Sequence, residues 1–309
     1  MKLFHETNYT IYNEKVKKEL KFIVLSDLHY SYQVKNEKLE GILNEIRNNR
    51  PDYILFPGDI IDSTDMVKDY KEEKRFLSWL KKLGTIAPTL MSLGAHDFYK
   101  RDKISPHRWT YDFNERLYKK INDIKNVYLL DNTFYEDNNV FVVGYTQSFE
   151  YYRYGNHKSS YEDKDTMLKE LKDLHKKISL NPKKVNLLLV HSPIRIIEPE
   201  ILKELKDYDY YISGHMHNGC VPPVLYELWN STRGIVSPNS KFFPKNERNT
   251  LRNKGDKLLV NGPLTMFHVN TGLFERMNFL FPSYLSILNL KNDSKYDTDK
   301  IFTKRKYKK

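Results

Sequence analysis

At 309 residues with 39% hydrophobic and 14% aromatic content, the chain can bury one large core or two ordinary ones, which excludes a disordered or fibrous protein. No apolar run approaches the ~20 residues of a membrane helix, the stretch 1–21 has no signal-peptide core, and the single Cys220 excludes a disulfide framework, so a soluble cytoplasmic protein is expected. Part of the net charge of +11 sits in a basic tail, 291–309, where eight Lys and Arg face three Asp; the rest is spread thinly, as a solvated surface first and a polyanion attractant second.

The first expected element is a strand at 22–25, apolar nearly throughout, as strands covered on both faces read. An amphipathic helix over 36–48 follows, then a strand at 53–56, a helix over 67–83 and a strand at 89–93. A further helix is expected over 109–121. Residues 127–146 are dense in β-prone side chains, with a hairpin turn at 136–139 where Asp137, Asn138 and Asn139 suit the turn. The stretch 149–163, "FEYYRYGNHKSSYED", reads as a long polar and aromatic loop. Beyond it come a helix over 164–178, a strand at 187–190, a helix over 199–205 and a strand at 210–212. A second long loop, 221–256, is rich in Pro, Asn, Ser and Arg. Three later β-like runs, 258–260, 266–269 and 284–290, are expected to make a second mixed sheet packed on the first. Alternating strands and helices predict an α/β protein, with a single domain over 1–290 ahead of the tail.

In open α/β sheets, ligands gather outside the carboxyl ends of the strands. All five apolar runs end there in ligand-type residues: "SDLH" with Asp27 and His29, "PGD" with Asp59, "GAHD" with His96 and Asp97, "VHS" with His191, and "SGHMH" with His215 and His217. Taken singly each is ordinary: Gly-Asp is a common turn, and a buried histidine such as His191 is usually a satisfied core residue. As an ordered set they are specific. Carboxylate plus imidazole suits Mn²⁺, Fe or Zn²⁺ rather than Ca²⁺ or Mg²⁺. Alternate residues in extended backbone point the same way, so Asp27 with His29, and His215 with His217, are each expected to address one region.

The order Asp-Xaa-His, Gly-Asp, Gly-Asn-His-Asp/Glu, His, Gly-His-Xaa-His, running from Phe22 to His217, resembles the calcineurin-like metallophosphoesterase superfamily. "FFPK", "LLVNGP" and "NTG" further on resemble its small bacterial branch. The resemblance implies an αββα sandwich: two mixed β-sheets packed together and flanked by helices. It implies two divalent metal ions, Mn²⁺ foremost with Fe, Zn, Ni or Co as substitutes. Asp27, His29 and His217 would bind the first, His191 and His215 the second, and Asp59 would bridge them. His96 matches a histidine that is not a ligand; it stabilises the transition state or protonates the leaving alkoxide, with Asp97 orienting its ring. Where Ala95 stands the resemblance expects an Asn ligand. Alanine offers no carbonyl oxygen, so a weaker second metal and slower turnover are expected. Ala95 is either native to a mono-metal or pseudo-enzyme lineage or an introduced ligand deletion, and the intact remainder of the motif favours the second.

The activity implied is phosphoester hydrolysis by metal-activated hydroxide; the loops make a nucleotide-type phosphodiester, cyclic ones included, the leading substrate. Tyr151, Tyr152, Arg153, Tyr154 and His157 are the expected base-stacking and phosphate contacts, with Arg233, Arg248 and Arg252 as further phosphate ligands. The same chemistry admits a nuclease or a lipid-linked pyrophosphate hydrolase. Diffuse charge and the lack of a DNA-reading module weigh against the nuclease. A non-catalytic scaffold on the same fold is the alternative of a different class.

Overall fold

A computed structural model of the chain describes residues 4–101, 109–155, 164–194, 198–222, 225, 234–235, 250–252, 258–267, 276–292 and 302–308. In chain order its strands are β1 (Phe4–Tyr12), β2 (Leu20–Val24), β3 (Tyr53–Pro57), β4 (Thr89–Ser92), β5 (Tyr99–Arg101), β6 (Trp109–Tyr111), β7 (Val127–Leu129) and β8 (Thr133–Glu136). They continue with β9 (Val140–Tyr145), β10 (Val185–Val190), β11 (Tyr210–Ser213), β12 (Thr250–Arg252), β13 (Leu258–Val260), β14 (Ser283–Lys291) and β15 (Phe302–Lys308). The α-helices are α1 (Asn36–Asn49), α2 (Tyr70–Ile86), α3 (Glu115–Asn122), α4 (Phe149–Gly155), α5 (Lys164–His175) and α6 (Pro199–Leu205).

Two sheets carry the fold. The first has seven strands in the order β15-β1-β14-β2-β3-β4-β7, the second six in the order β12-β13-β11-β10-β9-β8. Each has a parallel block, β2-β3-β4-β7 in one and β9-β10-β11-β13 in the other; β1 and β14 are also parallel, and the remaining pairs are antiparallel. Strand side chains alternate between faces, and here both faces are covered. Val24, Leu55 and Leu90, in register across β2, β3 and β4, face inward with Phe22 and Leu288. They meet Val142, Leu187 and Tyr210, in register across β9, β10 and β11. The alternate residues Ile23, Ile54, Phe56 and Met91 turn outward onto α1, α2 and α3, through Leu39, Ile42, Phe76, Leu80 and Leu117. On the far side Val143, Leu188 and Tyr211 pack on Met167 and Leu171 of α5 and Ile201 and Leu205 of α6. Truncating an inter-sheet residue such as Leu187 to alanine should cost about 2–5 kcal/mol.

Helix boundaries follow local chemistry. Asp69 caps α2 by accepting from the amides of Lys71 and Glu72, and Asn114 caps α3 by accepting from the amide of Leu117. The Asn114 cap corrects the helix expected over 109–121: Trp109–Tyr111 is instead β6, paired antiparallel with β5. The loop expected at 149–163 begins as the helix α4, its residues 156–163 lying outside the described ones. The expected hairpin is formed, with Asp137 Oδ1 accepting from the amides of Asn139 and Val140 between β8 and β9. Of the loop expected at 221–256, residues 250–252 are β12 and most of the remainder lies outside the described residues.

The sheet assignment needs a larger correction. The five apolar runs divide between the two sheets, three in the first and two in the second. Of the later runs, 258–260 extends the second sheet beside β11, whereas 284–290 joins the first, antiparallel to β2. Met266 and Phe267 lie in no strand, and 268–269 fall outside the described residues. β1 has no counterpart among the expected elements, and β15, which pairs with it, falls in the stretch read as a basic tail.

Candidate metal centre

The five strand ends meet at one edge of the sandwich, where the chain turns abruptly. Asp27 (φ 52°), His29 (47°), Asp59 (49°), His215 (68°) and His217 (44°) all take the left-handed conformation, which is uncommon and costly for residues with a side chain. The pairs Asp27/His29 and His215/His217 therefore do not address one region through extended alternation, as expected; both members of each pair leave the strand path. Neighbouring loops hold the turns. The amides of Asp27 and His29 donate to the carbonyls of Gly58 (3.3 Å) and Asp59 (3.1 Å), and the Gly214 amide donates to the His191 carbonyl (3.0 Å). Gly94 is required by close approach: a Cβ there would lie 2.3 Å from Asp59 Oδ1 and 2.7 Å from His191 Cγ.

The side chains converge in three groups of one carboxylate and two imidazoles: Asp27 with His29 and His217, Asp59 with His191 and His215, and Asp62 with His29 and His96. In each, the potential ligand atoms lie within 4.8 Å of one another. The groups adjoin. His29 Nε2 is 3.1 Å from His217 Nε2, His215 Nδ1 is 3.2 Å from His191 Nε2, and Asp59 Oδ2 stands 2.9 Å from His191 Nε2 and 3.8 Å from His29 Nε2. Backbone carbonyls set the tautomers, because a carbonyl only accepts. His191 Nδ1 donates to Pro57 (2.9 Å), His217 Nδ1 to Met266 (2.5 Å) and His96 Nδ1 to Asp62 (2.7 Å), which turns each Nε2 toward the centre. This mixed oxygen and nitrogen donor set, with its imidazoles anchored from behind, fits a pair of divalent transition metals.

Charge is unevenly distributed. Burial opposes the charge on Asp59, but His191 and His96 outweigh it and hold the carboxyl well below its usual range. Burial likewise opposes a proton on His191, yet the adjoining Asp59 raises it to about 9. Burial and the neighbouring His191 hold His215 well below the ordinary imidazole range, so it stays neutral. Asp27 is raised by burial, which His217 and His191 only partly offset.

The His96 side chain is 14% exposed and that of His217 12%, where those of His29 and His191 are fully enclosed; His96 Nε2 lies 4.0 Å from Asp59 Oδ2. Its amide donates to Asp59 Oδ1 (2.9 Å). Asp97 has a different task from the expected one. Its Oδ1 accepts from the amides of Ile60 (2.9 Å) and Ile61 (3.0 Å) and its Oδ2 from Gly94 (2.8 Å), tying the loop after β3 to the loop after β4; the His96 ring is oriented by the Asp62 carbonyl. Burial and nearby Asp59 push Asp97 up to about 7 despite those amides. Asp62 itself was missed. It is fully buried, its Oδ1 is 3.9 Å from His29 Nδ1, and its place three residues after Asp59 in "GDIID" was the available signal. Ala95 is buried in the turn between Gly94 and His96, where its methyl group offers no lone pair.

Of the expected substrate contacts, Tyr152 reaches the centre. Its ring lies 6.1 Å from that of His215, and its hydroxyl donates to Gln147 Oε1 (2.8 Å). Phe98, 6.1 Å from the Tyr152 ring, and Tyr99, 6.4 Å from it, are buried core residues that support it. Tyr151 is corrected to a core residue: it is 1% exposed, with its hydroxyl donating to Ser192 Oγ. The side chains of Arg153, Tyr154 and Arg252, and all of His157, Arg233 and Arg248, lie outside the described residues.

Residues 20–219 match the model of a family described as calcineurin-like phosphoesterase. An uncharacterized metallophosphoesterase of Campylobacter jejuni is 24% identical over 74% of this chain and 55% of its own length. An uncharacterized metallophosphoesterase of Helicobacter pylori is 27% identical over 69% of this chain and 48% of its own. The chain thus spans about half the length of these curated relatives. Among solved structures, a dimetal phosphatase from Danio rerio superimposes with a TM-score of 0.40 at 12% identity, covering 79% of this chain and 87% of that one.

Proposed function

The chain belongs to the calcineurin-like phosphoesterase family, and from that premise we propose that it is a dinuclear phosphodiesterase acting on a nucleotide-type diester, slowed by alanine at position 95. The observation that carries this reading is the pair of adjoining carboxylate–imidazole groups with Asp59 between them. Two bound divalent cations, Mn²⁺ foremost, would polarise the phosphoryl oxygens and acidify a water for the attack.

The chain's own residues supply the rest. Asp27, His29 and His217 would hold one cation, His191 and His215 the other, with Asp59 shared. His96 is exposed to the cleft, is fixed in one tautomer and presents Nε2, so it can hold a proton toward the oxygen of the departing alcohol. The Tyr152 ring, beside that of His215, favours an ester whose arm carries a flat ring over a small alkyl ester. The near-absence of cysteine supports a cytoplasmic setting. Among the described residues no helix is long and apolar enough to cross a membrane.

The test is metal analysis of the purified protein together with hydrolysis of bis-p-nitrophenyl phosphate in Mn²⁺, for this chain and for its Ala95→Asn variant. Bound transition metal with slow release of p-nitrophenol, accelerated in the variant by the restored carbonyl oxygen, is expected. A chain that in neither form holds metal nor cleaves the diester is not this enzyme.

A further inference from the structure

Lys38 lies in the first turn of α1, and its Nζ donates to Thr265 Oγ1 at 2.9 Å. Thr265 belongs to a segment that braces the backbone of the metal centre. The Leu264 amide donates to the Ser26 carbonyl (2.8 Å), the Thr265 amide to the Asp27 carbonyl (3.0 Å), and the Met266 carbonyl accepts from His217 Nδ1 (2.5 Å). A cation therefore stands one side chain away from the backbone that fixes two of the expected ligands. Among the described residues the Thr265 hydroxyl is its hydrogen-bond partner, and no carboxylate forms an ion pair with it. Buried Glu73, by contrast, is matched by Arg116 and Lys120. Lys38 keeps partial exposure, yet enclosure of its ammonium end pulls it down to about 8 with no charged neighbour contributing.

An enclosed cation without a counter-ion is costly. Because α1 joins the parallel strands β2 and β3, its first turn lies at the carboxyl edge of the sheet, where the expected ligands gather; there that cost is removed when a ligand brings the opposite charge. Lys38 spends one of three N–H donors on Thr265, whose hydroxyl keeps its own proton to donate. Two donors side by side suit an anion with several oxygens. We propose that Lys38 is a substrate-binding residue that, with Thr265, receives a second phosphate group on the diester, so that the preferred substrate carries a phosphate in addition to the one cleaved. This rests on the phosphodiesterase reading above.

Two substrates separate the possibilities: the p-nitrophenyl ester of thymidine 5′-phosphate, and the same ester bearing a 3′-phosphate, each assayed with Mn²⁺. Lys38→Met is expected to lower kcat/KM on the 3′-phosphorylated ester by about 10–100-fold, as loss of a charge-assisted hydrogen bond implies, and on the plain ester far less. Lys38→Arg is expected to restore most of the difference. Calorimetry provides a readout independent of turnover: thymidine 3′,5′-bisphosphate should bind Lys38→Met more weakly than it binds the parent, and thymidine 5′-phosphate should lose much less. Equal losses on both esters and both ligands would overturn the proposal and leave Lys38 as a brace for Thr265. If the parent cleaves neither ester, the phosphodiesterase reading falls. The calorimetric difference then still decides whether Lys38 receives a phosphate.

Discussion

The two ends of the sandwich gather similar kinds of titratable side chains and hold them in opposite ways. At the amino ends of β10 and β11, a cleft of about 710 Å³ is lined by Lys15, His175, Lys203, Glu204, Asp207 and Asp209, among others. There Lys15 pairs with Asp209 at the surface at 2.9 Å, His175 Nδ1 lies 3.5 Å from Glu204 Oε2, and none of those six residues has a positive φ. At the carboxyl ends the side chains are enclosed, five of six expected ligands are in left-handed backbone, and carbonyls dictate which imidazole nitrogen faces inward. Density of ionisable groups is thus a poor marker of a site. Enforced backbone and enforced tautomers are better ones, because neither persists without a surrounding structure that over-determines it.

Breaking the carboxyl end should give the largest effects. His96→Ala should lower kcat by about 10²–10⁴-fold with metal content retained, as removal of a proton-transfer group does. Metal loss in that variant would instead mark His96 as a ligand. Gly94→Ala should cost on the order of 10²-fold in kcat/KM and weaken metal binding, since its Cβ would displace Asp59 and His191. A variant with normal activity would mean that the approach of the two loops is not limiting. Ala95→Asn should act in reverse, tightening the second metal by about tenfold or more, as a restored ligand contact implies. Titration of the apoprotein with Mn²⁺ reads this directly.

A gentler probe is pH. His191 sits at about 9, above its ordinary 6.5, through its pairing with Asp59. That pairing stabilises the metal-free fold fully below the ordinary value and is lost as pH rises through about 9. A metal at Nε2 must displace the same proton, so its affinity should climb with pH up to about 9 and its binding at neutrality should release close to one proton. Calorimetry in buffers of different ionisation enthalpy counts that proton; none released would remove His191 from the ligand set. The smallest effect belongs to the other end: His175→Ala should leave kcat/KM within about twofold and cost about 1 kcal/mol of stability for the lost hydrogen bond to Tyr208. A large loss of activity there would overturn the contrast between the two ends.

The inner strands and the ligand types were legible because both depend on local pattern. β3, β4, β10 and β11 are apolar on both faces, and each ends at a residue type that needs a chemical reason to be there. β1 was not legible because it buries His5, Glu6 and Thr7 as well as Phe4 and Tyr9, so its sequence looks polar although its position is interior. The division of strands between sheets was hidden for another reason: pairing of β14 with β1 and β2 is a long-range choice that neither segment records. The role of Asp97 misled because a carboxylate beside a histidine in sequence need not face its ring. In a tight turn it found three backbone amides instead.

The placement of β14 between β1 and β2 also governs how the molecule can be assembled. Phe4 pairs with Ser283 and Thr7 with Arg305, so β1 has no sheet partner until the last two strands arrive. Contacts of such sequence separation form slowly because a long loop must close first. The blocks β2-β3-β4 and β9-β10-β11, built from parallel neighbours, can form earlier, leaving β2 with an open edge prone to wrong partners in the interval. The bracing segment around Thr265 docks against Asp27 and His217 in the same late step. A nascent chain would therefore carry the six expected ligands well before the site they form was braced, and any uptake of metal there would report on completion of the first sheet.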